Sequence, residues 1–237
     1  MWGHHAVKAA LENPRRTHHK LYISRKMGER LGDVLLAPLK NNAFVMRPGE
    51  IDSMLPDGAV HQGAALLSAP LPAHDLADIT APAKGLIIVL DQITDPHNVG
   101  AMFRLAAAFG ARAVIMQTRN APPLAGAVTK VAVGTVETVP HVLVTNIANT
   151  LLELQKTGWR VTGLAGEADI TLEQAFINAE AEVIVMGAEG PGLRKRVRDC
   201  CDQLAKIPMP GSAASGAESL NVSTAAGIAL YEAVRGM

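Results

Sequence analysis

The chain is poor in several things, and each shortage removes a class of protein. Aromatic residues make up 3% of its 237 residues and the formal net charge is zero. Its two cysteines, Cys200 and Cys201, are neighbours. Adjacent cysteines cannot make an ordinary disulfide framework and lack the paired spacing of a zinc site, so they read as reduced packing residues and no metal is expected. No apolar run is long enough to span a bilayer. The opening Met1-Trp-Gly-His-His-Ala-Val-Lys lacks the apolar core of a secretion signal, so a cytoplasmic protein with no membrane partner is expected. Zero net charge argues against strong non-specific nucleic-acid binding, which depends on neutralising many phosphates.

What is abundant is aliphatic: 49% of the residues are hydrophobic. That composition suits an α/β protein with a sizeable core. Charge is unevenly placed. Residues 1–50 carry Lys8, Arg15, Arg16, Lys20, Arg25, Lys26, Arg30, Lys40 and Arg47 against Glu12, Glu29, Asp33 and Glu50, with four histidines besides. Such an excess fits either a solvated face or a small RNA-docking module.

Periodicity predicts helices near residues 6–11 and 27–36 and strands near 20–24, 43–51 and 60–68, followed by a linker marked by Pro70, Pro72 and Pro82. Beyond it, apolar runs at 85–90, 113–116, 142–144, 160–164, 183–186 and 205–209 alternate with helical patterns at 98–109, 146–157, 172–178, 192–203 and 221–235. Strands alternating with helices predict a doubly wound parallel sheet. The expected division is a small α/β domain over 1–70, a linker over 71–84 and a larger α/β domain over 85–237.

Three polar clusters each follow an apolar run: Asp91-Gln-Ile-Thr-Asp-Pro-His-Asn98-Val-Gly100-Ala-Met-Phe-Arg104, then Gly187-Ala-Glu189-Gly190-Pro-Gly192, then Ile207-Pro-Met-Pro-Gly211 with Ser219-Leu-Asn221-Val-Ser223. Ligands of open α/β sheets sit at the carboxyl ends of strands, so the three loops suggest one crevice. Asn98 is placed to cap a helix, and Arg104, among Leu105, Ala106 and Phe109, reads as needing an anionic partner such as an RNA phosphate. The spacing G-x-x-G-x-G differs from the dinucleotide fingerprint G-x-G-x-x-G, and no Gly-Lys-Ser/Thr is present for a triphosphate. That counts against a nucleotide-dependent oxidoreductase. Glu189 in the glycine loop would repel a pyrophosphate but suits a neutral or cationic ligand, such as a sulfonium.

In these three motifs, in this order, the chain resembles the SpoU branch of the SPOUT RNA 2'-O-ribose methyltransferases, within it the bacterial 23S rRNA guanosine subgroup. Gly3-His-His-Ala-Val-Lys-Ala-Ala-Leu11 and Ala59-Val-His-Gln-Gly63 are similar to that family's RNA substrate-binding N-terminal domain. The resemblance implies a SPOUT domain with a deep trefoil knot, a homodimer, and S-adenosyl-L-methionine bound by Leu164, Ala165, Gly166, Gly187, Ile207, Met209 and Leu220. It implies Arg104 as the catalytic residue, with Asn98, Glu189 and Asn221 as its polar surroundings. It also implies 23S rRNA as substrate, with tRNA as the alternative within the same branch. A non-catalytic RNA-binding or ribosome-assembly protein on this fold is the rival, and the joint presence of Arg104, Glu189 and Asn221 speaks against it. One departure is the segment Ser212–Glu218, longer than the family's usual spacing.

Overall fold

The computed structural model describes residues 1–39, 41–178, 180–210 and 219–237, and divides into two compact units. The lengthened segment Ser212–Glu218 lies outside the described residues.

The first unit comprises Met1–Pro72 together with Pro123–Thr138. Helix α1 (His4–Glu12) ends where Asn13-Pro14 removes the next amide donor. It buries Val7, Ala10 and Leu11, at helical spacing, against Leu21 and Ile23 of strand β1 (His18–Ile23) and Met27 and Leu31 of helix α2 (Arg25–Leu36). Ser24 caps α2, its hydroxyl accepting from the Met27 amide at 3.3 Å. Gly63 is fixed by that cap, since a Cβ there would lie 2.4 Å from the Ser24 hydroxyl. The expected strand over 43–51 stops early: β2 is Ala43–Val45, and Pro48 opens a short helix, α3 (Pro48–Asp52). Strand β3 (Ala64–Ser68) starts later than the expected 60. The sheet order is β2-β1-β3, with β1–β2 parallel and β1–β3 antiparallel.

The expected boundaries assigned all of 85–237 to one domain, whereas Pro123–Thr138 belongs to the first unit. The physical reason is a buried ion pair. Arg16 and Glu137, whose side chains are 1% and 2% exposed, bond to each other, and Asn13 Nδ2 donates to Glu137 Oε2 at 2.8 Å. Glu137 closes a 3-10 turn that follows helix α6 (Ala127–Ala132), an element the hydrophobic periodicity did not suggest.

The second unit, Ala73–Pro122 with Val139–Met237, is a seven-stranded parallel sheet. Its strands are β4 (Gly85–Asp91), β5 (Ala113–Gln117), β6 (His141–Val144), β7 (Arg160–Leu164), β8 (Ile170–Thr171), β9 (Ala181–Gly187) and β10 (Gln203–Lys206), in the order β6-β5-β4-β9-β7-β10-β8. Leu86–Leu90 and Val183–Met186 are buried throughout, as strands covered on both faces require. The helices are α4 (Leu76–Thr80), α5 (Pro96–Ala108), α7 (Ile147–Lys156), α8 (Leu172–Ala175), α9 (Lys195–Arg198) and α10 (Val222–Gly236). The expected linker thus carries a helix of its own. It is anchored by the Trp159 indole, which donates to the Thr80 carbonyl at 2.9 Å. The expected helix over 192–203 shrinks to α9, and the expected strand over 205–209 shifts to β10 because Pro208 and Pro210 have no amide for a ladder. Among the described residues no helix is long and apolar enough to cross a membrane.

Candidate active site

The loops leaving β4 and β9 and the start of α10 meet at the carboxyl edge of the second unit's sheet. Their frame is set by Asp91, the last residue of β4, which is fully buried. Its carboxylate accepts from the Arg194 backbone amide at 2.9 Å and from Arg194 Nε at 2.7 Å, and Arg194 also donates to Gln117 Oε1 at 3.0 Å. A buried carboxylate is stable only with such partners, so this pair ties the glycine loop after β9 to β4 and β5. Sequence reasoning gave Asp91 no role. An acid ending an apolar run was the signal for it.

Helix α5 is capped by Asp95, which accepts from the amides of His97 and Asn98, and not by Asn98 as expected. Relieved of capping, the Asn98 side chain, 8% exposed, donates from Nδ2 to Glu189 Oε1 at 3.2 Å. Asn221 Nδ2 donates to the same oxygen at 2.7 Å and to Asn98 Oδ1 at 3.3 Å. Asn221 also caps α10, its Oδ1 accepting from the Ser223 amide at 2.9 Å. Three residues distant in sequence, one from each motif, therefore form a single cluster. The two side-chain amides, with the Val222 backbone amide at 3.4 Å, orient the Glu189 carboxylate through one oxygen, while the other has no hydrogen bond among the described residues.

Arg104 is exposed and has no hydrogen bond or ion pair among the described residues, and the hydrogen bonds that join Asn98, Glu189 and Asn221 do not include it. Asn98 and Arg104 are six residues apart on one helix, which at about 3.6 residues per turn puts them on different faces.

Next to the cluster is a cavity of about 660 Å³. Leu164, Ala165, Gly166, Gly187, Ile207, Met209 and Leu220 all line it, and Glu189 and Asn221 reach its wall. Gly187 is required by contact: a Cβ there would lie 2.3 Å from the Gly192 carbonyl carbon and 2.4 Å from the Leu193 amide nitrogen. Gly190 and Gly192, at φ 82° and 67°, make the turn that brings this backbone so near. Glu167 and Arg198, which the motifs did not single out, pair on the cavity wall, and backbone hydrogen bonding, then Arg198, holds the Glu167 carboxyl below its ordinary range. The lining combines apolar side chains, loop backbone and an oriented carboxylate, which suits an elongated ligand with an apolar body and a cationic centre.

Cys201 offers no nucleophile: burial, then Cys200 and Asp202, pushes its thiol from 9.0 up to about 12. Among the described residues no cluster of His, Cys, Asp and Glu is arranged to hold a metal ion.

The model of the SpoU rRNA Methylase family matches residues 85–231. The 23S rRNA (guanosine-2'-O-)-methyltransferase RlmB of Vibrio vulnificus is 42% identical over 242 residues, covering 99% of this chain and 96% of its own. The RlmB of Escherichia coli is 39% identical over 241 residues, covering 99% and 97%. Among solved structures, the SpoU methyltransferase AviRb from Streptomyces viridochromogenes in complex with AdoMet superposes with a TM-score of 0.80 at 24% identity, over 99% of this chain and 88% of that one. The rRNA methyltransferase from Sinorhizobium meliloti gives 0.83 at 22% identity, over 100% and 86%. At such identities the structural likeness shows the fold.

Proposed function

The chain belongs to the SpoU rRNA methylase family, and on that premise we propose that it is an S-adenosyl-L-methionine-dependent enzyme that methylates the ribose 2'-hydroxyl of a guanosine in 23S rRNA. The observation that carries this reading is identity of 39–42% to 23S rRNA guanosine methyltransferases across nearly the whole of both chains.

The cofactor fits the cavity of about 660 Å³, with Leu164, Ala165, Gly166, Gly187, Ile207, Met209 and Leu220 as its holders. When bound, S-adenosyl-L-methionine supplies an activated methyl group on a sulfonium. Glu189, oriented by Asn98 and Asn221, provides negative charge beside that space, and its placement by neutral amides leaves the charge uncancelled. Arg104 stays protonated at any physiological pH, so its role is a clamp on the target phosphate and ribose that lowers the cost of charge developing on the 2'-oxygen. Its exposure leaves it free to meet RNA.

A homodimer belongs to the same reading. Ile228, Tyr231 and Val234, 36%, 57% and 44% exposed, recur at helical spacing along α10 and make an apolar stripe that a second copy would cover. A deep trefoil knot is part of the same reading, as membership of the SpoU family implies. The first unit, with the basic excess of residues 1–50, serves as the RNA-docking module, and the cytoplasm is where its substrate is found. Mapping of ribose methylation across rRNA and tRNA in a strain lacking this gene tests the proposal. Loss of one guanosine mark in 23S rRNA is the expected result, and loss confined to tRNA overturns the substrate.

A further inference from the structure

A second cavity, of about 230 Å³, opens at the carboxyl ends of β4 and β5. It shares no lining residue with the cofactor cavity but lies one strand over from it. Leu90 lines the second cavity and Met186 the first, and the two residues are register partners across the β4–β9 ladder, about one strand spacing of 4.8 Å apart. Too small for the elongated ligand of its neighbour, it has the size of one flat ring system.

Its lining has two characters. Leu90 and Met116 are buried and apolar, a floor on which a planar base can lie. Around them stand Gln92, Thr94, Arg119 and Asn120, none of whose side chains has a hydrogen-bond or ion-pair partner among the described residues. Gln92 and Asn120 hold φ of 59° and 67°. A glutamine rarely takes that left-handed conformation, and such strain collects where a side chain must be aimed. The loop that carries Gln92 and Thr94 runs directly into Asp95 and Asn98, so the cavity and the Glu189 cluster share one short segment.

Resting on the methyltransferase reading, we infer that this cavity receives the base of the target nucleotide, a guanine turned out of its stack, while its ribose lies toward the Asn98–Glu189–Asn221 cluster. An enzyme acting on one ribose must fix its base, and RNA is read most specifically on unstacked bases. The Arg119 guanidinium matches the O6 and N7 acceptors of guanine, and the side-chain oxygens of Gln92 and Asn120 match its N1–H and N2 amino donors. Adenine offers the reverse pattern at position 6.

Single-turnover methylation of a 23S rRNA fragment, with the target as guanosine or 7-deazaguanosine, tests the assignment in wild type, Arg119→Ala and Gln92→Gly. The deaza base should lower the wild-type rate at subsaturating RNA about tenfold and have no further effect in Arg119→Ala, which is already reduced to a similar extent. Gln92→Gly relieves the backbone strain, so it should fold at least as well as wild type while losing transfer. S-adenosyl-L-methionine affinity, read by calorimetry, should stay within twofold in both variants. Equal sensitivity to the deaza base in wild type and Arg119→Ala overturns the subsite while leaving the enzyme's function standing. A wild-type protein that transfers no methyl to guanosine overturns the parent reading and the subsite together.

Discussion

Gly187 and Gly166 both line the large cavity, yet a methyl group added to each should have opposite consequences. At Gly187 a Cβ would meet the Gly192 carbonyl carbon, the Leu193 amide nitrogen and the Gly192 oxygen at 2.3, 2.4 and 2.5 Å. Ordinary contact begins near 3.4 Å, so the loop would have to retreat by about an ångström. All three atoms are backbone, and the loop is tied at one end by the Ala188–Gly192 bridge and at the other by Arg194 on the buried Asp91. No side-chain rotation can relieve the clash. Overpacking of this kind costs about 1–3 kcal/mol. Because the retreating loop is a wall of the cavity, S-adenosyl-L-methionine should bind at least about tenfold more weakly, near 1.4 kcal/mol. At Gly166 a Cβ meets nothing within 4 Å, and Gly166→Ala should leave stability within about 0.5 kcal/mol of wild type. Urea denaturation and calorimetry with cofactor measure both quantities. A Gly187→Ala protein as stable as Gly166→Ala, with wild-type cofactor affinity, would refute the claim that close backbone approach shapes this site.

Arg104→Ala should keep the fold and the cofactor affinity, because the side chain is exposed and unpaired among the described residues, but lose methyl transfer by orders of magnitude; Arg104→Lys should recover little, and a near-wild-type single-turnover rate for the Ala variant would make the residue dispensable. Glu137→Ala should destabilise the first unit by about 3–5 kcal/mol in denaturant melts, since it strands the Arg16 guanidinium, 1% exposed, without its partner. Cys201 should resist alkylation in the native protein at pH 8. Its thiol keeps a proton to about 12 when folded against 9.0 when free, so the native state binds more protons between those values and stability should fall as pH rises through that window. Cys201→Ser should flatten that decline, and a stability curve identical to wild type from pH 9 to 12 would contradict it.

The central strands were legible in the sequence because β4 and β9 are buried on both faces, leaving an unbroken apolar run in each. The same rule misplaced β10. Ile207-Pro-Met reads as apolar, but the missing amide of Pro208 ends the ladder at Lys206. What the sequence could not disclose was pairing at a distance. Nothing local marks Glu137 as the partner of Arg16, 121 residues earlier, and so the assignment of 123–138 to the first unit could be found only in three dimensions.

At the site, residue types were legible and directions were not. The glycine spacing and the acid within it pointed to a loop for a neutral or cationic ligand, and Glu189, Asn98 and Asn221 do form one hydrogen-bonded cluster. Which residue capped α5 depended on where the helix starts, and Asp95, three residues earlier, takes the role that Asn98 could have filled. That shift is consequential: a capping Asn98 would spend its side chain on backbone amides and leave Glu189 held from one side only. Phase decides Arg104. Six residues beyond Asn98 on one helix, and so about 120° round its axis, it takes no part in the hydrogen bonds of the cluster and stays exposed beside it. The cluster is fixed before any substrate arrives, whereas Arg104, unpaired among the described residues, is on our proposal paired by the anion of the RNA. Charge placed in that way contributes to the bound complex and adds nothing to the stability of the free protein, which is the distribution an enzyme for a polyanionic substrate requires.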